Sequence, residues 1–424
     1  MRNLIYIIFL QLLLYSNVSA ELTIKIDSAK VGALPIMVSV DGDSKNFPAN
    51  TFTNIIENDL YSSGYFNILS SSNVKNNISN SNTQYALWAL AGANYFLKLN
   101  IYKDNNANFI KFDLHNIIKK DIIVSYKINL TNNSNIRKIS HTISNVVFKE
   151  ITGIEGIFDT KIAYISTEKI NNKKIYKLHV SDIDGYNSVA IYKSSKQLMS
   201  PTWSPNNDKI AYVSFENNRP EIFVQVLATG ERNKLIKGNS STSAPAWSPD
   251  EKYMAYTSSI KGNLEIFIYN LSTKSTNRIT NSIGIDTEAE WHPNGKTIFF
   301  TSDRSGRPHI YKQSIKKNKA SRVTFDGSYN ADANISSDGK HLALVHNGGN
   351  GHKIAVFSLE DKYLKIISNG RLDEAPSFAP NNKMILFASK KIHKGILVAT
   401  SNDGRIRQEI ELTGENVREP IWSH

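Results

Sequence analysis

The chain has 424 residues, enough for two domains, and no cysteine, which excludes a disulfide-stapled scaffold and leaves burial to supply stability. Its formal net charge is +12, but the lysines are scattered through Asn- and Ile-rich loops with no dense basic run, which excludes a nucleic-acid-binding tail.

Residues 1–20 read as an export signal. Arg2 supplies the positive start, Leu4 to Leu14 an apolar run short for a membrane span, and Val18-Ser19-Ala20 the compact cleavage residues. Cleavage before Glu21 is expected, so the mature chain would be exported. Residues 21–33 form an arm in which Leu22, Ile24 and Ile26 alternate with Thr23, Lys25 and Asp27, as in a strand with one apolar face. Asp27 to Gly32 is loop-like and would hinge it. Two readings are open: a plain first strand, or a detachable arm that a partner captures by strand addition.

Residues 34–155 predict a small α/β domain. Strands are expected at 34–40, 65–69, 94–102, 109–114 and 122–130. Amphipathic helices are expected at 50–62, with Phe52, Ile55, Ile56 and Leu60 on one face, and at 136–152, with Ile139, Ile143, Val147 and Ile151. A short helix is expected at 84–90, and Gly64 is a natural helix stop.

Residues 158–424 repeat one phrase six times. It reads Ser200-Pro201-Thr202-Trp203-Ser204-Pro205, then Ala244-Pro245-Ala246-Trp247-Ser248-Pro249, and returns around Trp291, Ile335, Phe378 and Trp422. The key large residues at 203, 247, 291, 335, 378 and 422 are spaced 44, 44, 44, 43 and 44 apart. A period in the forties with several short strands per unit predicts a propeller of four-stranded blades. Turn residues such as Asn206-Asn207, Asn294-Gly295 and Asp338-Gly339 follow each phrase, then an apolar strand such as Ile210 to Ser214. The strand 162–166 has no phrase before it, and the phrase at Trp422 has no strand after it. The C-terminal strand should therefore complete the first blade. The expected fold is an all-β six-bladed propeller preceded by the α/β domain.

No catalytic constellation is present. Asp182-Ile183-Asp184-Gly185 resembles the start of a calcium loop, but Lys193 stands where the bidentate Glu belongs, so a turn is expected. The ten histidines lack metal-ligand spacing, and there is no Gly-x-Ser-x-Gly elbow or glycine-rich phosphate loop. No cofactor or metal is expected, although a cation at Asp286, Glu288 or Glu374 is left open. Binding is expected where the residues just before each phrase gather at one mouth of the channel, joined by loops between second and third strands. That set includes Ser241 to Ala244, Asp286 to Glu288, Glu374, Glu419, and Asp303 to Arg307. Small polar loops and clustered carboxylates suit a protein or thin peptide better than a buried small molecule.

Several stretches carry a resemblance. They are Ile24-Lys25-Ile26-Asp27-Ser28 with Pro35-Ile36, Thr152 to Tyr164, Ser181 to Asn187, Leu198 to Pro205, and Phe300-Thr301-Ser302-Asp303 with Gly306-Arg307-Pro308. Together they resemble the TolB family, periplasmic propellers of the Tol–Pal cell-envelope system. The resemblance implies a periplasmic adaptor that supports outer-membrane integrity and invagination during division. It implies binding of the peptidoglycan-associated lipoprotein Pal across the mouth, with Ser241, Ala244, Thr287 and Glu288 at positions the family uses. Asp286, Arg304 and Arg307, from the mouth set, complete the expected rim. It also implies capture of the arm by TolA, with Leu22, Ile24, Ile26 and Asp27 facing that partner. A monomer, peripheral to the outer membrane through Pal, follows, with no nucleic-acid partner. This chain has Ser241-Thr242-Ser243 where relatives often carry a His-containing stretch. The rival reading is a propeller enzyme or glycan-binding lectin that uses the channel.

Overall fold

The computed structural model describes residues 22–26, 32–42, 46–70, 81–105, 107–131, 133–236, 241–259, 262–392, 394–412 and 416–424. The N-terminal part is a five-stranded sheet. Leu34–Asp41 runs parallel to Phe66–Leu69 on one side and to Tyr95–Asp104 on the other. Ala107–Asn116 and Asp121–Leu130 then extend the sheet as an antiparallel meander.

Helix α1 (Ala49–Ser62) and, later in the chain, helix α3 (Ile136–Thr152) cover one face of this sheet, and helix α2 (Ser81–Leu90) packs on the other. The spacing of Phe52, Ile56 and Leu60 on α1, and of Ile143 and Val147 on α3, turns apolar side chains onto Ile36, Val38, Leu97, Leu99 and Phe112. Each such side chain contributes about 1.5–3 kcal/mol when fully buried. The ends of α3 are set locally: the Asn135 side chain accepts from the Lys138 N–H at 3.1 Å, and Gly153 closes the helix at a φ of 71°.

The rest of the chain is a ring of six blades. The inner strands of blades 2 to 6 are Leu198–Trp203, Thr242–Trp247, Asp286–Trp291, Tyr329–Ile335 and Glu374–Phe378. Blade 1 is composite. Its inner strand is the C-terminal Asn416–Trp422, paired antiparallel with Lys161–Ile170, after which Lys173–Asp182 and Val189–Ser194 complete it.

Second strands such as Ile210 to Ser214 are buried on both faces. Each blade is clamped between two neighbours, and six apolar clusters fill the six seams. Trp203 with Ala163 and Ile165 fills the first, and Trp422 with Leu386 and Ile162 fills the last. In blades 2, 3 and 5 the turn after the phrase is stapled by its serine: Ser204, Ser248 and Ser336 donate to Asp208, Asp250 and Asp338 at 2.6–2.8 Å. In blade 3 the residue with positive φ in this turn is Glu251, at 56°, rather than Pro249 or Asp250.

Blade 6 carries a fifth strand. The arm segment Leu22–Ile26 lies antiparallel along the outer strand Arg407–Leu412, with Ile24 opposite Ile410 and Ile26 opposite Gln408. The aspartate at 27, expected to face a partner, lies outside the described residues.

Candidate functional site

All six inner strands share one irregularity. Their pairing with the next strand slips by a bulge between Met199 and Thr202, Ser243 and Ala246, Thr287 and Glu290, Ala331 and Asn334, Glu374 and Ser377, and Arg418 and Ile421. Inside each bulge one non-glycine residue is left-handed: Ser200, Ala244, Glu288, Asp332, Ala375 and Glu419, with φ between 46° and 54°. This conformation costs about 1–2 kcal/mol per residue. In return, each bulge turns a side chain into the channel. All six positions fall three residues before the key large residue of the phrase.

At three of the six the side chain is a carboxylate that reaches the next blade. Glu288 accepts the Asp332 backbone N–H at 3.0 Å and the Thr301 hydroxyl at 2.8 Å. Asp332 accepts the Ala375 backbone N–H, and Glu419 accepts that of Ser200 at 2.5 Å. With Glu374 these groups line a cavity of about 280 Å³ at the mouth. A second layer lies one residue before each key residue, with the Glu290 carboxylate bonded to the Asn334 amide at 2.9 Å. Beyond it the channel opens at its other end into a cavity of about 320 Å³ walled by Trp203, Trp247, Trp291 and Trp422.

The electrostatics of the mouth follow from crowding. Desolvation raises the carboxyl pKa values of Glu288, Glu374 and Glu419. Asp332 is pushed well above the usual carboxylate range, because the charges of Glu288, Glu419 and Glu374 add to its burial. Burial pushes Glu290 up to about 7. At Asp332 and Glu419 the neighbouring carboxylates add like-charge repulsion to burial, so ionisation of one group opposes that of the next. Among the described residues no three His, Asp or Glu side chains are grouped as a metal site.

The expected rim residues divide by depth. Ala244 and Glu288 face the mouth cavity, and Ser241 and Thr287 sit half-buried beside it. The Thr287 hydroxyl meets that of Thr257 at 3.2 Å, and the Ser241 carbonyl accepts from the Ser258 hydroxyl at 3.0 Å. Asp286 is not a surface group. It is fully buried, and Arg304 donates to its carboxylate at 2.6 Å. Its place at the start of the inner strand points it into the seam, where it holds Arg304 over Phe300 and Tyr311, 5.3 and 5.0 Å from their ring centroids. Arg304 is half-buried and Arg307 is exposed.

Two groups of residues escaped the sequence-based site. Asp332 is one; its constant offset from the key residue of the phrase is the signal that would have found it. The other is a set of exposed apolar side chains on the mouth-side loops: Ile283, Ile285, Phe325 and Leu372. Ile283 projects fully into solvent and Phe325 is 67 % exposed. Isolated apolar residues in polar loops carry no periodicity, so no sequence pattern announces them.

Comparison with known proteins agrees with this architecture along the whole chain. Residues 148–424 match the family described as "TolB beta propeller domain", and residues 22–123 match "TolB amino-terminal domain". The "Tol-Pal system protein TolB" of Hydrogenovibrio crunogenus is 45 % identical over 100 % of this chain and 99 % of its own length. That of Nitrosococcus oceani is 46 % identical over 96 % of this chain and 94 % of its own length. The crystal structure of TolB from Acinetobacter baumannii superimposes with a TM-score of 0.86 at 34 % identity, covering 95 % of this chain and 100 % of that one. The fold, its two parts and these relatives together place the chain in the TolB family.

Proposed function

We propose that this chain is a periplasmic adaptor of the Tol–Pal envelope system. It binds the lipoprotein Pal at the channel mouth and passes its N-terminal arm to TolA, supporting outer-membrane integrity and invagination during division. The observation that carries the reading is the exposure of Ile283, Ile285, Phe325 and Leu372 on the loops that lead into the inner strands whose Glu288, Asp332 and Glu374 line the mouth cavity. Exposed apolar side chains grouped beside a polar cavity mark a protein-docking surface. The full-length relatives named for the Tol–Pal system support the choice of partner.

The arm supports the second half of the reading. It is held as the outermost strand of blade 6 by main-chain pairing. Such pairing can be exchanged for pairing with another chain, which is the basis of strand addition. Among the described residues no helix is long and apolar enough to cross a membrane, and attachment to the outer membrane would come through Pal.

The test is calorimetric titration of the mature chain with the Pal periplasmic domain of its own organism, repeated with a folded Thr287→Trp, Glu288→Arg variant. Binding that disappears in the variant supports the adaptor and locates it at the mouth. A folded parent that does not bind Pal overturns the reading and leaves a channel enzyme or glycan-binding lectin to be tested.

A further inference from the structure

Helix α3 presents Arg137 and His141, one turn apart, to a seam shared by α1 and blade 1. His141 is 4 % exposed, and its Nδ1 lies 2.8 Å from Oδ2 of Asp59 on α1, itself 4 % exposed. On the other side of the ring, Nε2 lies 3.2 Å from Nη2 of Arg137. The same Arg137 nitrogen donates to Asp184, in the blade 1 turn that resembled a calcium loop. Arg137 Nε lies 3.7 Å from Asp182 Oδ2, and the guanidinium sits 4.0 Å from the centroid of the Tyr186 ring. Four side chains thus run in series from the α/β domain into the propeller: Asp59, His141, Arg137 and Asp184.

The donor inventory fixes the protonation of the imidazole. A guanidinium has donors and no acceptor, so Nε2 must accept from Arg137 and the single ring proton sits on Nδ1, donated to Asp59. A second proton on Nε2 would aim N–H at N–H, remove that hydrogen bond, and set two cations side by side in a half-buried seam.

We propose that this series is a proton-operated latch between the α/β domain and the propeller. Neutral His141 accepts from Arg137 and steadies it on Asp184. Protonated His141 keeps Asp59 but repels Arg137, so the contact between α3 and blade 1 loosens while the pair between α1 and α3 tightens.

The charged groups around the imidazole are Asp59 from α1, Arg137 from its own helix, and Asp182 and Asp184 from blade 1. Lys161 binds Asp182 at 2.8 Å, and Lys383 of blade 6 lines the same interdomain cleft. Burial pushes the His141 pKa down, but Asp59, and beyond it Asp184, outweigh burial and the opposing Arg137, so it ends above the ordinary histidine value. The midpoint of the latch would therefore lie above that of an ordinary histidine. Asp59 and Asp184 also border a cleft of about 50 Å³ with Tyr65, Phe158 and Met384, so loosening here opens onto existing space between the two parts.

The chain lacks cysteine, so Ser125→Cys in the α/β sheet and Ser272→Cys in blade 3 allow a clean pair of spin labels. Pulsed dipolar spectroscopy on the full mature chain at pH 8.5 and 5.5 reads the distance between the two parts. The expected result is a narrow distribution at pH 8.5 that shifts and broadens at pH 5.5. His141→Gln keeps an acceptor for Arg137 but cannot be charged, and should stay narrow at both pH values. Arg137→Gln leaves the Asp59–His141 pair intact and should be broad at both. A parent distribution unchanged with pH, or a pH response that survives in either variant, overturns the latch. Arg137→Gln decides the matter alone if His141→Gln does not fold.

Discussion

The backbone N–H of Trp422 donates to the Ser377 hydroxyl at 3.0 Å, tying the inner strand of blade 1 to that of blade 6. The same bond joins blade 6 to blade 5, where the Phe378 N–H meets the Asn334 side chain at 2.8 Å. In both, the side chain one residue before one blade's key residue satisfies the backbone of the next blade's key residue. Indole N–H groups add a second lace: Trp203 and Trp291 donate to carbonyls of the preceding blade at 3.3 and 3.2 Å, and Trp422 to the Thr160 hydroxyl at 2.8 Å.

Losing Trp422 should therefore open the ring. Trp422→Ala leaves a cavity in the seam packed by Leu386 and Ile162 and is expected to cost about 3–5 kcal/mol. Deleting residues 419–424 removes half of the inner strand of blade 1 as well and should cost more. Urea titration followed by tryptophan fluorescence checks both. A deletion variant with parental stability would mean that the last strand does not close the ring.

Glu290 predicts a pH dependence. Its folded pKa is about 7, raised by burial, against an unfolded value near 4.5. The folded state binds the proton more tightly, so stability falls as pH rises through this window and levels off above it. Glu290→Gln keeps the oxygen that accepts from Asn334 and removes the charge. It should stabilise the ring by about 1–3 kcal/mol at pH 8, with the gain vanishing below pH 4.5. Thermal unfolding of parent and variant across that range tests the sign. A gain that grows on acidification would contradict it.

Asp286 and Arg304 predict a rim effect from a buried residue. Asp286→Ala leaves Arg304 without its carboxylate partner and should cost about 3–5 kcal/mol, as for other broken buried pairs. Asp286→Asn retains a hydrogen-bond acceptor and should cost less, yet free Arg304 from its charge anchor. If the rim receives Pal, Asp286→Asn should weaken that binding without direct contact. Parental affinity in the folded variant would remove Arg304 positioning from the account.

The arm predicts a separable effect. Leu22→Asp with Ile24→Asp should weaken TolA capture while the melting temperature of the ring stays near that of the parent. The strand they interrupt sits outside the four strands that complete blade 6. Undiminished capture of TolA by the folded double variant would exclude these residues from that interface.

Much of this protein was legible before any coordinates. A 44-residue recurrence of one phrase can be satisfied by few architectures, and several short apolar strands per unit leave the propeller. The helix faces of α1 and α3 were readable for the same reason: 3.6-residue spacing is a local property. The constant offset that sets the channel carboxylates is also local, although the irregular phrase around Ile335 hid Asp332 from the site. The calcium look-alike at Asp182 to Gly185 shows the limit. Its sequence identified a turn, but its carboxylates serve Arg137, a residue of another domain.

What only the tertiary structure decided are the meetings between blades and between domains. Sequence put Asp286 at the mouth, yet its carboxylate faces Arg304 because strand pairing in blade 4 sets Asp286 opposite Ser302, two residues before that arginine. Sequence made residues 22–26 a strand, but the choice of the outer strand Arg407–Leu412 as its neighbour is a pairing across nearly the whole chain. The carboxyl groups of Glu288, Asp332, Glu374 and Glu419 are raised because the closed ring buries them, and at Asp332 and Glu419 like charges from other blades add to the burial. Periodicity determines which element forms, since it is carried by neighbours in the chain. Depth, charge and partner are carried by neighbours in space, and those exist once the ring has closed.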